Sequence, residues 1–429
     1  MINKKLLKLF SKLKSGNFKS IATLFTGTLI SRVIPFLLAP VLTRIYSQEE
    51  FGRVALYLSV TQVFSVIACG RYEMSIVLPD NKKEALSSLL LSVIIAFFTS
   101  FILLVTVILF STSLSIYLED PKIEKWLYFL PLSIFLQATF MALSFYMVRE
   151  KKFKDIAVSN IAKSFGAGLL QILLGVVKKV YDGLLIGEVF SYLFGNFRYL
   201  RQINKEKEVV KSITKEDLKS TAKRYKNFAL FSTPSILLNS LSVNVINFFI
   251  PKLYSLSVLG NYSLSYKYIM FPITLIGGSV RDVFFQELNQ VKHQQVKAKK
   301  VFVKYSLFLF ISSFLICTVL YFIIEDLFIM IFGKEWQLAG EISKILLPLV
   351  MVRFCVNPIS VVLTVYEKQK MEFVINLLLF LSGLGAVIIS SFCKYNIGVF
   401  VNLYMILSSI IYLLFYFLLY KVVVSGGIK

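Results

Sequence analysis

The chain has 429 residues, of which 57% are apolar and 17% charged, with a mean hydropathy of +0.73. That balance excludes a soluble globular domain, and near-continuous apolar runs of about 20 residues exclude a strand-alternating β-barrel. A net charge of +23 would raise nucleic acid as a partner of a soluble protein. Here the basic residues lie mostly between apolar runs, as the positive-inside rule predicts, and no nucleic-acid-binding motif is present.

Residues 1–20 lack the apolar core of a cleavable signal. Leu6, Leu9, Phe10 and Leu13 share one face of a possible helix, and Lys4, Lys8 and Lys12 another. The segment reads as a basic amphipathic cytoplasmic N-terminus, either an in-plane helix on an anionic leaflet or a basic tail. The next run, 21–46, is long enough to span but carries Arg32, Pro35, Pro40 and Arg44. An arginine facing lipid costs from about 2.5 to 17 kcal/mol by different definitions, so Arg32 is expected to face water or a partner.

About twelve spans follow the apolar pattern: 21–46, 51–70, 86–111, 126–148, 156–177, 183–200, 227–250, 256–280, 301–324, 339–366, 372–392 and 397–420. The connecting segments on the N-terminal side hold 33 lysines and arginines and those on the other side 7, which predicts cytoplasmic termini. The expected organisation is an N-lobe of six spans over 21–200, a cytoplasmic linker over 201–226, a C-lobe over 227–420 and a cytoplasmic tail over 421–429.

The halves repeat. Arg44-Ile45-Tyr46-Ser47, Phe51-Gly52 and Leu56 return as Lys252-Leu253-Tyr254-Ser255, Leu259-Gly260 and Leu264, always 208 residues on. Arg71-Tyr72-Glu73 is answered by Arg281-Asp282, and Glu150-Lys151 by Glu367-Lys368. Six spans per half make this a parallel repeat of two pseudo-symmetric bundles, an arrangement suited to alternating access.

Four cations fall well inside spans: Arg32, Lys163, Lys267 and Arg353. Glu188 is the clearest acid, and one carboxylate cannot pair four cations. A hydrated cationic cavity for an anionic substrate follows, with snorkelling to the interface as the alternative. Asn160, Ser164 and Gln171 lie on one small, polar face of the fifth span with Lys163, Gly168 and Gly175, and Ser235 and Asn239 lie on a polar stripe of the seventh. Amide and hydroxyl groups suit sugar hydroxyls, and such stripes suit helix packing equally well. Tyr57, Tyr262, Tyr266 and Tyr268 could stack on sugars or pack. Arg44, Arg71, Glu73, Glu188, Lys252, Arg281 and Asp282 are candidates for gating or coupling. Cys69, Cys317, Cys355, Cys393 and His293 have no metal-ligand spacing, and no nucleophile constellation or Walker loop appears. No cofactor is expected, and H+ or Na+ remains open as a coupling ion.

SRVIPFLLAPVLTRIYSQEEFG at 31–52, followed by RYEMSIVLP at 71–79, resembles Wzx-type flippases, the polysaccharide-unit branch of the MOP exporter superfamily (multidrug, oligosaccharidyl-lipid, polysaccharide). The specific match covers residues 20–85. The resemblance implies an all-α, MATE-like fold of two six-helix lobes in the bacterial inner membrane. It implies movement of an undecaprenyl-diphosphate-linked oligosaccharide to the outer leaflet, as in O-antigen assembly, beside a polysaccharide polymerase and a chain-length regulator. Lipid II flippases typically carry Arg-Asp where this chain has Leu38-Ala39, and tend to have two further spans, so a peptidoglycan role is disfavoured. A cation-coupled small-molecule antiporter of the MATE kind is the alternative. A polymerase is a weaker one, for lack of a large external loop.

Overall fold

A computed structural model describes residues 16–177 and 182–426, and over that range the chain is helical, without strands. Twelve helices of 20 residues or more are found among the described residues. The first six are α1 (Gly16–Ile45), α2 (Gln48–Ala68), α3 (Lys82–Tyr117), α4 (Leu130–Arg149), α5 (Phe153–Val176) and α6 (Gly183–Ile203). The others are α7 (Thr233–Leu253), α8 (Leu256–Val291), α9 (Gln295–Phe332), α10 (Gln337–Ile359), α11 (Gln369–Cys393) and α12 (Ile397–Val424). Eleven of the described helices are long and apolar enough to cross a membrane. The exception is α6, which has the length but carries Glu188, Asn196, Arg198 and Arg201. Of the basic N-terminal segment, residues 1–15 lie outside the described residues, as do Lys178 and Lys179.

Local chemistry sets the breaks. Asn81, Ser255 and Asn396 cap α3, α8 and α12, each accepting a hydrogen bond from a backbone N–H of the first turn. The division of the last two spans is made by Lys394, left-handed at φ 53°, followed by the Asn396 cap. Helices α3 and α9, of 36 and 38 residues, rise about 1.5 Å per residue and so outreach a hydrocarbon core of about 30 Å.

The chain forms two compact units: one holds the chain up to Tyr46 and Tyr57–Leu237, the other Ser47–Leu56 and the chain from Leu238 onward. In the first, α5 packs on α1 and α6 through small residues. A methyl group on Gly168 would meet the Leu38 side chain, and one on Gly175 would meet Ile45 and Tyr46. Two of the small residues on the α5 stripe therefore serve packing. The polar linker is built into this unit. Its helix Lys215–Arg224 opens with a reciprocal Thr214–Asp217 capping box. Three successive residues at the head of α3 hold the linker: Lys82 to Glu206 at 2.7 Å, Lys83 to Asp217 at 2.7 Å, and Glu84 to Arg224 at 2.6 Å.

In the second unit the start of α2 crosses the start of α8 with backbone against backbone. A Cβ on Gly52 would lie 1.9 Å from the Leu256 carbonyl oxygen, and one on Gly260 would lie 1.9 Å from that of Gln48. Gln48 and Leu256 are themselves 208 residues apart, as are the two glycines. The contact is thus reciprocal, as a local two-fold relation between the repeated segments requires. Ser257 Oγ donates to Gln48 Oε1 at 2.6 Å, Gln48 Nε2 donates to the Glu335 carbonyl, and Phe51 meets Trp336 edge-on at 5.0 Å.

Overpacking costs about 1–3 kcal/mol where side chains can shift. At this crossing the neighbour is a carbonyl that cannot step aside, so Gly52→Ala and Gly260→Ala are expected at the upper end of that range, read as a lowered melting temperature of purified protein. Gly278 lies in α8 with open space at its Cβ position. Gly278→Ala is expected to be neutral or stabilising by up to about 1 kcal/mol.

The Asp217 carboxyl is held down to about 2 by the Lys83 ammonium and the Thr214 cap. A carboxylate lowered in the folded state stabilises at neutral pH and loses that contribution only as pH falls from about 4 through the lowered value. Asp217→Asn is therefore expected to loosen the linker at pH 7, read as faster trypsin cleavage at Lys219, Lys223 and Arg224, and to lower the melting temperature at pH 7 by more than at pH 2.

Candidate functional site

In the second unit α10 presents Arg353 to tyrosines of two other helices. Its Nη1 donates to Tyr266 Oη at 2.5 Å, and its guanidinium carbon lies 5.6 Å from the Tyr266 ring centre and 5.4 Å from that of Tyr412. Tyr266 stacks on Tyr262 at 6.0 Å. Among the described residues no carboxylate lies within ion-pair distance of Arg353, and its Nε is buried without a hydrogen-bond partner. Ser242, Tyr266, Arg353, Tyr404, Ser408 and Tyr412 line a cavity of about 20 Å³. Tyr404, Ser408 and Tyr412 stand four residues apart, so α12 aims one polar stripe at the guanidinium. That spacing was readable in the sequence, where Tyr57, Tyr262, Tyr266 and Tyr268 were singled out instead.

The first unit treats its interior lysine similarly. Lys163 Nζ on α5 lies 4.5 Å from the Tyr192 ring centre and 5.5 Å from that of Phe140. Cation–π contacts are worth about 0.5–2 kcal/mol each, below the cost of an unanswered charge at bilayer depth. Glu188 on α6 accepts from the Gln171 amide at 3.5 Å. Gln171 is buried: its amide also donates to the Leu184 carbonyl, and its own carbonyl accepts from Tyr46 Oη. Asn160, Ser164 and Asn239 are partly buried; the Ser235 side chain lies outside the described residues. Tyr57, Tyr262 and Tyr268 are buried in packing, with Tyr57 sharing a 2.6 Å hydrogen bond with Ser133.

Arg32 and Lys267 are exposed in their own units. Arg44 is also exposed, its Nη1 turned back on the Pro40 carbonyl, and Lys252 is partly buried at the end of α7. Arg281 and Asp282 are both exposed, nearly three turns before the end of the long α8. Their counterparts differ sharply. Arg71 is left-handed at φ 62° and leads into the two-turn 3-10 helix Tyr72–Val77. Its Nη1 pairs with Glu73 Oε1 at 3.2 Å, and the Glu73 side chain is fully buried with Oε2 unpartnered. Burial raises the Glu73 carboxyl above the ordinary range, and Arg71 offsets only part of that. A pair missed in the sequence closes the same unit: Arg198 Nη2 meets Asp155 Oδ1 at 2.6 Å between α6 and α5.

A family model described as polysaccharide biosynthesis protein matches residues 41–341. The chain belongs to this family. Among other polysaccharide biosynthesis proteins, it is 23% identical over 326 residues to the succinoglycan biosynthesis transport protein ExoT of Rhizobium meliloti, over 73% of this chain and 62% of that one. The chain thus spans less than two thirds of that relative's length. It is 22% identical over 431 residues to an uncharacterized membrane protein in the cps region of Klebsiella pneumoniae, over 97% of this chain and 84% of that one. Its fold is that of the MOP superfamily. A MATE family multidrug resistance transporter in an inward-facing conformation aligns over 94% of this chain and 95% of that one, with a TM-score of 0.73 at 12% identity. The lipid II flippase MurJ, in an inward closed conformation, aligns over 94% and 90%, with a TM-score of 0.65 at 18% identity. The relative and neighbours named by role are a transport protein, a multidrug transporter and a flippase, and the chain is a multi-pass membrane protein.

Because Glu73 binds its proton more tightly in the folded state, it costs stability as pH rises through and above the ordinary carboxylate range. Glu73→Gln is expected to raise the melting temperature at pH 8 and to change it little at pH 4. An equal effect at both values would show that the raised carboxyl is not the cause.

Proposed function

We propose that the protein moves an undecaprenyl-diphosphate-linked polysaccharide repeat unit from the cytoplasmic to the outer leaflet of a bacterial inner membrane, by alternating access, with both termini in the cytoplasm. The observation that carries this reading is the sign of the interior charge, in a member of a polysaccharide biosynthesis family. Arg32, Lys163, Lys267 and Arg353 are cationic, and Glu188 is the one acid singled out beside them well inside the spans. A diphosphate headgroup is the anion such a set suits. Arginine offers it a bidentate fork and lysine a point charge. Arg32 and Lys267, exposed in their respective units, are the side chains we assign to that contact, with the partly buried Lys163 adding positive charge in the first unit. Asn160, Ser164 and Asn239 are assigned to glycan hydroxyls. Arg71, Glu73, Arg281 and Asp282 are assigned to gating at the cytoplasmic rim. Polysaccharide polymerase and chain-length regulator are the partners this role implies.

The MATE-like fold supports a second reading, a small-molecule antiporter, which would favour acidic lining for cationic drugs. In a strain lacking the gene, Arg32→Ala is expected to cut surface polysaccharide at least about tenfold, the worth of a charge-assisted phosphate contact, and Arg32→Lys to retain an intermediate level. Full polysaccharide from both variants would remove Arg32 from the role. Export of organic cations by purified protein that ignores polyprenyl-linked glycan would favour the antiporter.

A further inference from the structure

The Arg353 cage is separate from the side chains assigned to the headgroup. A guanidinium does not lose its proton in a protein, so this charge is permanent. It sits between helices of one unit, and no carboxylate among the described residues pairs with it. One neutral contact, to Tyr266 Oη at 2.5 Å, answers Nη1, and Nε is buried with no partner. The hydroxyls around the cavity can donate as well as accept, and Val243 and Leu379 close the remaining walls with hydrocarbon. Such walls lower the local dielectric and strengthen any charge–charge contact made inside.

The cavity of about 20 Å³ has room for one sphere of water's size, about 10–15 Å³ on this measure. Two linked phosphate tetrahedra are several times larger than this. A halide is somewhat larger than water but still a single sphere; it takes donors from every side and brings one negative charge to the one guanidinium. We propose that Arg353, with Ser408, Tyr404 and Tyr412, holds one monoatomic anion of the chloride class, a fixed counter-ion of the second unit and not part of the headgroup contact. This does not rest on the flippase reading, because its readout is anion binding by the resting protein.

The test uses full-length purified protein in lipid nanodiscs at constant ionic strength, with gluconate progressively replaced by bromide. The wild type is expected to gain thermal stability saturably, and crystals soaked in bromide are expected to show an anomalous peak against the Arg353 guanidinium. Arg353→Gln is expected to lose the bromide dependence. Should that variant fail to fold, Ser408→Ala serves instead, with half-saturating bromide raised about fivefold, the worth of one neutral hydrogen bond. Bromide-independent melting of the wild type, or a cavity holding water with no anomalous signal, would overturn the proposal. So would an undiminished bromide effect in Arg353→Gln or, failing that, in Ser408→Ala. Inorganic pyrophosphate replacing bromide and giving the same Arg353-dependent rise would also overturn it, by returning this cage to the headgroup.

Discussion

A charge carried into hydrocarbon must be answered within a few ångströms, and much of this molecule's interior is arranged around that demand. Three answers are used. Opposite charge is supplied toward the ends of the spans, where two helices each bring a partner within reach of solvent, as in Arg198 with Asp155 at 2.6 Å and Lys344 with Glu325 at 3.0 Å. Aromatic faces are supplied where no acid is available, as at Lys163 between Tyr192 and Phe140. At Arg353 the tyrosine faces are joined by hydroxyls and a small cavity. The order matters: an ion pair neutralises, a ring only polarises, and a cage of hydroxyls leaves net charge behind.

The backbone obeys a different constraint. The crossing of α2 and α8 needs two residues without side chains, and the repeat supplies one from each copy, Gly52 and Gly260. Elsewhere the copies have parted. After Ala68 the first copy turns through left-handed Gly70 and Arg71 into a mostly buried two-turn helix, whereas α8 continues unbroken past Gly278 and Arg281 to Val291. The same arginine–acid pair is therefore sequestered in one copy and exposed in the other, and the first copy alone holds a carboxylate that burial disfavours.

Much of the fold was legible because apolar length, caps and the 208-residue echo are local or periodic signals. The twelve helices fall where the apolar runs lie, and the break near Lys394 is marked by a left-handed residue and an asparagine cap. The reciprocal glycine contact was not legible, since a repeat announces equivalence and not which residues touch. Nor were the side-chain partners of the cations. Lys163 rests on rings from two other helices, and Tyr404, Ser408 and Tyr412 reach Arg353 from a helix some fifty residues further on. The α5 stripe illustrates the limit: its glycines pack on α1 and its Gln171 is bound inside the bundle. Spacing places residues on a face but does not say what that face meets.

The interior cations do not follow the repeat. At the offset of 208 that relates Gly52 to Gly260, Arg32 falls on Ser240 and Lys267 on Ser59; at the offset of 217 that relates Glu150 to Glu367, Lys163 falls on Phe380 and Arg353 on Leu136. The duplicated skeleton kept the residues that let helices cross and did not keep, or never shared, the charges. Skeleton and chemistry therefore answer to separate demands. This is why likeness of fold to a multidrug exporter at 12% identity carries no information about cargo. Cargo must be argued from the cations one at a time, from what each already touches. An exposed arginine or lysine has donors to offer a large headgroup. A guanidinium bonded to a tyrosine beside a one-sphere cavity has room only for something small.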